Sequence, residues 1–141
     1  MEADRLGDCR SIVLLLDTNM LLLLASGNVS MTRLEQVLEM PFVALVTSSI
    51  LEELRSLASR PEARAPRRAL ELVQSMGAKV LETRGGADDS LVEISTRLKG
   101  KCRVVVATSD RELRSRLRLL GIPTLYYRAA RGDVELEWPP L

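Results

Sequence analysis

The stretch IVLLLDTNMLLLLAS, Ile12 to Ser26, decides how the chain is read. Its first part, from Ser11 to Asp17, is a short and almost wholly apolar run, the pattern of a strand buried on both faces of a parallel sheet. Asp17, Thr18 and Asn19 then interrupt the hydrophobic residues. A buried carboxylate without a partner is costly, so Asp17 is paired, bound to a metal, or not buried at all. The run falls short of the roughly 20 apolar residues that a membrane span needs, and Asp17 breaks it. Acidic residues Glu2, Asp4 and Asp8 stand where a signal peptide would be basic, so an intracellular, cytoplasmic protein is expected.

Outward from this stretch, strand-like and helix-like segments alternate. Thr32 to Glu35 reads as a capping box opening a helix that stops at Pro41, and Phe42 to Thr47 as a second buried strand. Ser49 to Glu52 reads as another capping box, with its helix running to about Ser59. A basic connector, SRPEARAPRR, leads into a helix that stops at Gly77. Ala78 to Thr83 is a third strand, Asp88 to Lys99 a helix, and RVVVATS a fourth strand. A third capping box, Ser109 to Glu112, opens an arginine-rich helix ending at Gly121, and PTLYYR is a fifth strand. The tail to Leu141 has room for an edge strand. The expected fold is α/β: a three-layer α/β/α sandwich with a central parallel sheet of about five strands, as one domain over residues 1–141.

The bulk properties narrow the function. The chain has 141 residues, 46% hydrophobic and 28% charged, with a net charge of +1, so no global basic field advertises nucleic acid. Cys9 and Cys102 are far apart without CxxC spacing, which predicts small buried hydrophobes in a reducing compartment rather than a zinc site or disulfide framework. There is no histidine, which removes histidine general bases, Ser-His-Asp catalysis and most zinc sites. Any catalysis falls to carboxylates, hydroxyls, Lys and Arg.

Acidic residues follow four successive strands: Asp17, the pair Glu52–Glu53, the pair Asp88–Asp89, and Asp110. In an open parallel sheet, ligands bind beyond the carboxyl ends of the strands, where the strand order switches. Four converging carboxylates repel one another unless divalent cations lie between them, and oxygen-only ligation selects Mg²⁺ or Mn²⁺. Helix geometry chooses within the pairs. Glu53 falls roughly 100° from the apolar face of its helix while Glu52 points away and serves the capping box. Asp88 borders its helix's apolar face at about 75°, whereas Asp89 lies opposite as a solvated dipole partner. Each acid taken singly also fits a helix cap, although at Asp110 Ser109 is available for that task. Thr18 and Thr108 read as site hydroxyls or turn residues, and Asn19 as support for a carboxylate or as a cap.

The pieces LLLDTNMLLL around Asp17, VTSSILEEL around Glu53, GADDSLVEIS around Asp88 and VVATSDRELRSRLRLLGIPTLYYR around Asp110 together resemble the PIN-domain nucleases over nearly the full length. The resemblance is nearest to archaeal PIN proteins and eukaryotic rRNA-processing nucleases, and more distant to the VapC toxins. It implies a sheet of order 3-2-1-4-5 and endonucleolytic cleavage of single-stranded RNA. It also implies that Asp17, Glu53, Asp88 and Asp110 bind Mg²⁺ or Mn²⁺, with Asn19, Thr108 and Asp89 in support.

Substrate would be held by local positive charge. Arg111, Arg114 and Arg118 share one helix face, and Arg60, Arg64, Arg67 and Arg68 form a second cluster in a connector expected to move. Scarce aromatics, 3%, leave recognition to the RNA backbone, in single-stranded or structured RNA. An antitoxin protein or a second copy are further expected partners, with Met20 to Leu24 either interface or core. Two other readings stand beside the nuclease: a non-catalytic PIN-fold module that binds RNA or protein, and a phosphatase with Asp17 as nucleophile. The phosphatase needs an acid two residues on, where this chain has Asn19.

Overall fold

A computed structural model describes residues 10–139 of the chain. The elements alternate as β1 (Ile12–Leu16), α1 (Thr18–Ala25), α2 (Met31–Leu38), β2 (Phe42–Thr47), α3 (Ser48–Ala58), α4 (Arg64–Ser75), β3 (Lys79–Leu81), α5 (Ala87–Leu98), β4 (Val104–Ala107), α6 (Arg111–Leu119), β5 (Thr124–Arg128) and β6 (Asp133–Glu137). The six strands form one sheet of order β3-β2-β1-β4-β5-β6. The first five are parallel, and β6 runs antiparallel to β5, so the tail does supply an edge strand. Every residue of β1 is buried, in keeping with a central strand covered on both faces.

Strand order turns round between β1 and β4, whose residues pair in register from Val13↔Val104 to Leu16↔Ala107. With right-handed crossovers, the helices before and after this turning point lie on opposite faces. α1, α3 and α4 pack against one another and α5 packs against α6, while α3 and α5 also meet. Met20, Leu21 and Leu24 of α1 are buried, and Leu22 and Leu23 pack partly buried against the same core. The leucine run is therefore mostly core.

The helix starts differ from the expected capping boxes. Ser30, not Thr32, caps α2 by accepting from the Arg33 N–H at 3.0 Å. Thr47, not Ser49, caps α3 through the Ile50 N–H, so Glu52 has no capping-box task. Asp110, not Ser109, caps α6 through the Leu113 N–H, and the Ser109 hydroxyl instead accepts from the Tyr127 N–H at 3.0 Å. In each case the capping side chain is chosen by where the backbone turns into the helix, which the S/T-x-x-E spacing does not encode.

Two further expectations are corrected. The basic connector is short, because α4 begins at Arg64, and Arg67 donates to the Ala58 and Arg60 carbonyls at the end of α3. Cys102 is half-buried and disulfide-bonded rather than a free apolar thiol. Distance along the chain misled here: β1 and β4 are sheet neighbours, and the Val13 N–H donates to the Arg103 carbonyl at 2.8 Å. Cys9 lies outside the described residues. Among the described residues no helix is long and apolar enough to cross a membrane.

Candidate metal centre

The turning point between β1 and β4 carries a pocket of about 380 Å³ lined by Asp17, Thr18, Asn19, Ile50, Glu53, Ala87, Asp88, Ser109 and Asp110. The four expected acids thus share one pocket, each delivered by a different element. Glu52 and Asp89 are left out of its lining, as helix geometry anticipated. Asp89 pairs instead with Arg116 of α6 at 3.1 Å and is largely exposed.

Asp17 is the deepest of the four, 8% exposed. Its N–H donates to the Ala107 carbonyl of β4 at 3.1 Å, and its Oδ1 caps α1 by accepting from the Met20 N–H at 2.7 Å. The fully buried Thr108 hydroxyl hydrogen-bonds to its carboxylate and also accepts from the Asp110 N–H at 3.2 Å. Thr108 therefore ties the two strand-end aspartates together. Asp110 is exposed and spends its Oδ1 on the cap of α6, 2.8 Å from the Leu113 nitrogen. Both aspartates are caps and pocket acids at once; each keeps its second oxygen clear of the cap. The two readings that looked like alternatives in the sequence coexist.

Burial pushes the Asp17 carboxyl up to about 6, against the Thr108 and Met20 hydrogen bonds, with Asp88 and Asp110 adding to the rise. Asp88 is also raised, by desolvation first and then by Asp110 and Glu53, with Arg116 offsetting part of the effect. Burial is the larger cause at both carboxyls, and the neighbouring acids add to it.

The donor set suits a hard divalent cation: oxygen-only and mutually repelling. It is open rather than caged, since no three acidic groups among the described residues converge tightly enough to enclose an ion. The Thr18 hydroxyl oxygen is buried without a hydrogen-bond partner and belongs to a residue of the pocket lining. Asn19 is exposed at the pocket and does not cap α1.

The expected arginine face divides. Arg114 and Arg118 both pair with Glu137 of β6, at 3.2 and 3.1 Å, and Arg114 also lies 3.6 Å above the Tyr126 ring. The edge strand, only hinted at in the sequence, thus brings an acid to two of the three arginines. Arg111 is exposed and makes no ion pair among the described residues. Sequence reasoning missed Arg84, exposed in the loop that leaves β3 at the same edge of the sheet. It also missed two sets of hydroxyls: Thr47 and Ser90, which join the starts of α3 and α5, and Ser48, Ser49 and Thr83, which tie the start of α3 to the loop after β3. Their signal was the cluster Thr47-Ser48-Ser49, which was read only for a cap.

No curated protein matches the sequence. The solved structure of the PIN domain endonuclease Utp24 superposes with a TM-score of 0.73 at 24% identity, covering 94% of this chain and 95% of that one, and so shares its fold. Residues 14–130 match the model of the PIN-like domain, a span that runs from β1 through β5 and takes in every acid of the pocket. The chain belongs to the PIN-like domain family.

Proposed function

We propose that the protein is a Mg²⁺- or Mn²⁺-dependent endoribonuclease that hydrolyses phosphodiester bonds of single-stranded RNA at Asp17, Glu53, Asp88 and Asp110. One observation carries this reading: four acids from four elements meet in one pocket at the turning point of the sheet, and burial together with the neighbouring acids raises the pKa of two of them. A divalent metal bound there supplies an activated water at neutral pH and neutralises charge on the leaving oxygen. Asp17 and Asp110 offer it the oxygens not used in their caps. Thr108 fixes the first of these carboxylates, and Asn19 and Thr18 add polar groups at the wall. Asp89 acts at one remove, holding Arg116 beside α5. Arg111 and Arg84 are the cations free to meet the RNA backbone at this edge, a contact that is salt-sensitive and indifferent to base sequence. Either an RNA-processing enzyme or a VapC-type toxin held by an antitoxin fits this chemistry in a cytoplasmic protein, and a homodimer is compatible with both.

The test is incubation of single-stranded RNA with purified protein and Mn²⁺, beside Asp17→Asn. Cleavage that depends on metal and disappears in the variant supports the reading; cleavage unchanged by the substitution refutes it. The second reading, a PIN-fold module that binds RNA or protein without cutting, draws support from the absence of an enclosed cage of three acids among the described residues. RNA binding without cleavage in either metal would favour it.

A further inference from the structure

Glu53 and Asp88 belong to different helices and repel each other, yet both face one pocket. What keeps the starts of α3 and α5 together against that repulsion is a buried line of hydrogen bonds. The Ile50 N–H donates to Thr47 Oγ1 at 3.2 Å, Thr47 Oγ1 lies 2.8 Å from Ser90 Oγ, and Ser90 Oγ donates to the Ala87 carbonyl at 2.6 Å. A serine hydroxyl has one proton, and that of Ser90 goes to Ala87, so Thr47 donates to Ser90. The line then runs one way, from Ile50 through Thr47 and Ser90 to Ala87, with every proton used and both hydroxyl residues fully buried.

Its two ends, Ile50 and Ala87, are themselves lining residues of the pocket. Glu53 stands one helical turn beyond Ile50, and Asp88 directly follows Ala87. A second stitch, Ser49 Oγ to Thr83 Oγ1 at 2.8 Å, anchors the loop after β3 but does not reach α5. From this geometry we infer that Thr47 and Ser90 are positioning residues that set the separation of Glu53 and Asp88 for a divalent cation. The inference rests on the metal-site reading above and goes beyond it by assigning the spacing of two ligands to a pair of hydroxyls that do not line the pocket.

The test is calorimetric titration of Mn²⁺ into the RNA-free protein. Ser90→Ala and Thr47→Val are each expected to weaken Mn²⁺ binding about tenfold, the low end of what outer-shell partners contribute. The double variant is expected to lose no more than the weaker single one, because either change already cuts the line. Thr47→Ser, which keeps the hydroxyl, should bind as the natural protein does. Ser95→Ala is the control: Ser95 is also fully buried on α5, but its hydroxyl bonds only within the helix, to the Val92 carbonyl. Its affinity should not change. Mn²⁺ affinity within twofold of the natural protein in Ser90→Ala, or an equal loss in Ser95→Ala, overturns the inference. If Ser90→Ala does not fold, the contrast between Thr47→Val and Thr47→Ser decides by the same criteria. A natural protein that binds no Mn²⁺ overturns both this inference and the metal-site reading. Binding that Ser90→Ala weakens, in a protein that cuts no RNA, upholds the positioning role and removes the nuclease reading alone.

Discussion

Carboxylates occur in two settings in this molecule, and their proton affinities move in opposite directions. Along β6, Asp133 takes both Nε and Nη2 of Arg33 at 2.8 Å and is held down to about 2. Glu135, bound to Tyr126, Arg128 and Arg131, is lowered as well, chiefly by the Tyr126 hydroxyl. Glu137 holds Arg114 and Arg118. In the pocket, Asp17 at the end of β1 and Asp88 in the first turn of α5 are raised, since burial and neighbouring acids act on them without full compensation. The same residue types thus serve as fasteners where arginines meet them and hold their protons more tightly where they are buried beside one another.

Removing the central acid is the strongest way to break this comparison. Asp17→Asn keeps a capping oxygen for α1 while deleting the charge, and should lower metal-dependent RNA cleavage on the order of a hundredfold or more, read from initial rates. The same variant should be more stable than the natural protein when metal is absent. Because the folded state holds the Asp17 proton more tightly than the unfolded chain, the metal-free protein loses stability as pH rises from 3.8 to about 6. That loss is on the order of 3 kcal/mol, and the asparagine variant escapes it, which thermal melts at pH 7 with a chelator will show. A variant that is inactive and also melts lower would place Asp17 among the fasteners.

Protons and metal should compete at the same carboxylate. Below about pH 6 Asp17 is protonated, so Mn²⁺ affinity should fall nearly tenfold per pH unit, measured by titration from pH 7.5 to 5. Arg111→Ala should weaken RNA binding several-fold and reduce the salt slope by about 0.7, the share of one phosphate contact on a single strand. The smallest effect belongs to the β6 side. Glu137→Gln should lower stability by about 1 kcal/mol and leave cleavage within about twofold. A clear gain in RNA affinity in that variant would show that Arg114 and Arg118, once released, serve the substrate as the α6 sequence first suggested.

The order of strands and helices was legible because the apolar runs of β1, β2 and β4 are short, uninterrupted and separated by helical spacing. Which member of each pair lines the pocket, Glu53 rather than Glu52 and Asp88 rather than Asp89, was legible too, since facing on a helix follows from its 100° step. The caps were not. Thr47 and Asp110 take that role because they sit at corners whose backbone turns there, and Ser49 and Ser109 are drawn to Thr83 and Tyr127, which lie 34 and 18 residues away. The partners of Arg114 and Arg118 were hidden for the same reason, as Glu137 reaches them only through the β5–β6 pairing.

The sequence by itself determined the alternation of buried strands and amphipathic helices, the placement of an acid after each of four strands, and the absence of histidine chemistry. These are local properties, set by side-chain type and by periods of two and 3.6 residues. Tertiary structure alone decided that the four acids share one pocket, that two of them double as caps, that Cys102 is bonded, and that Thr47 meets Ser90 across 43 residues. Each of those depends on which strands become neighbours, and neighbourhood in a sheet is fixed by the whole packed core rather than by any stretch of chain.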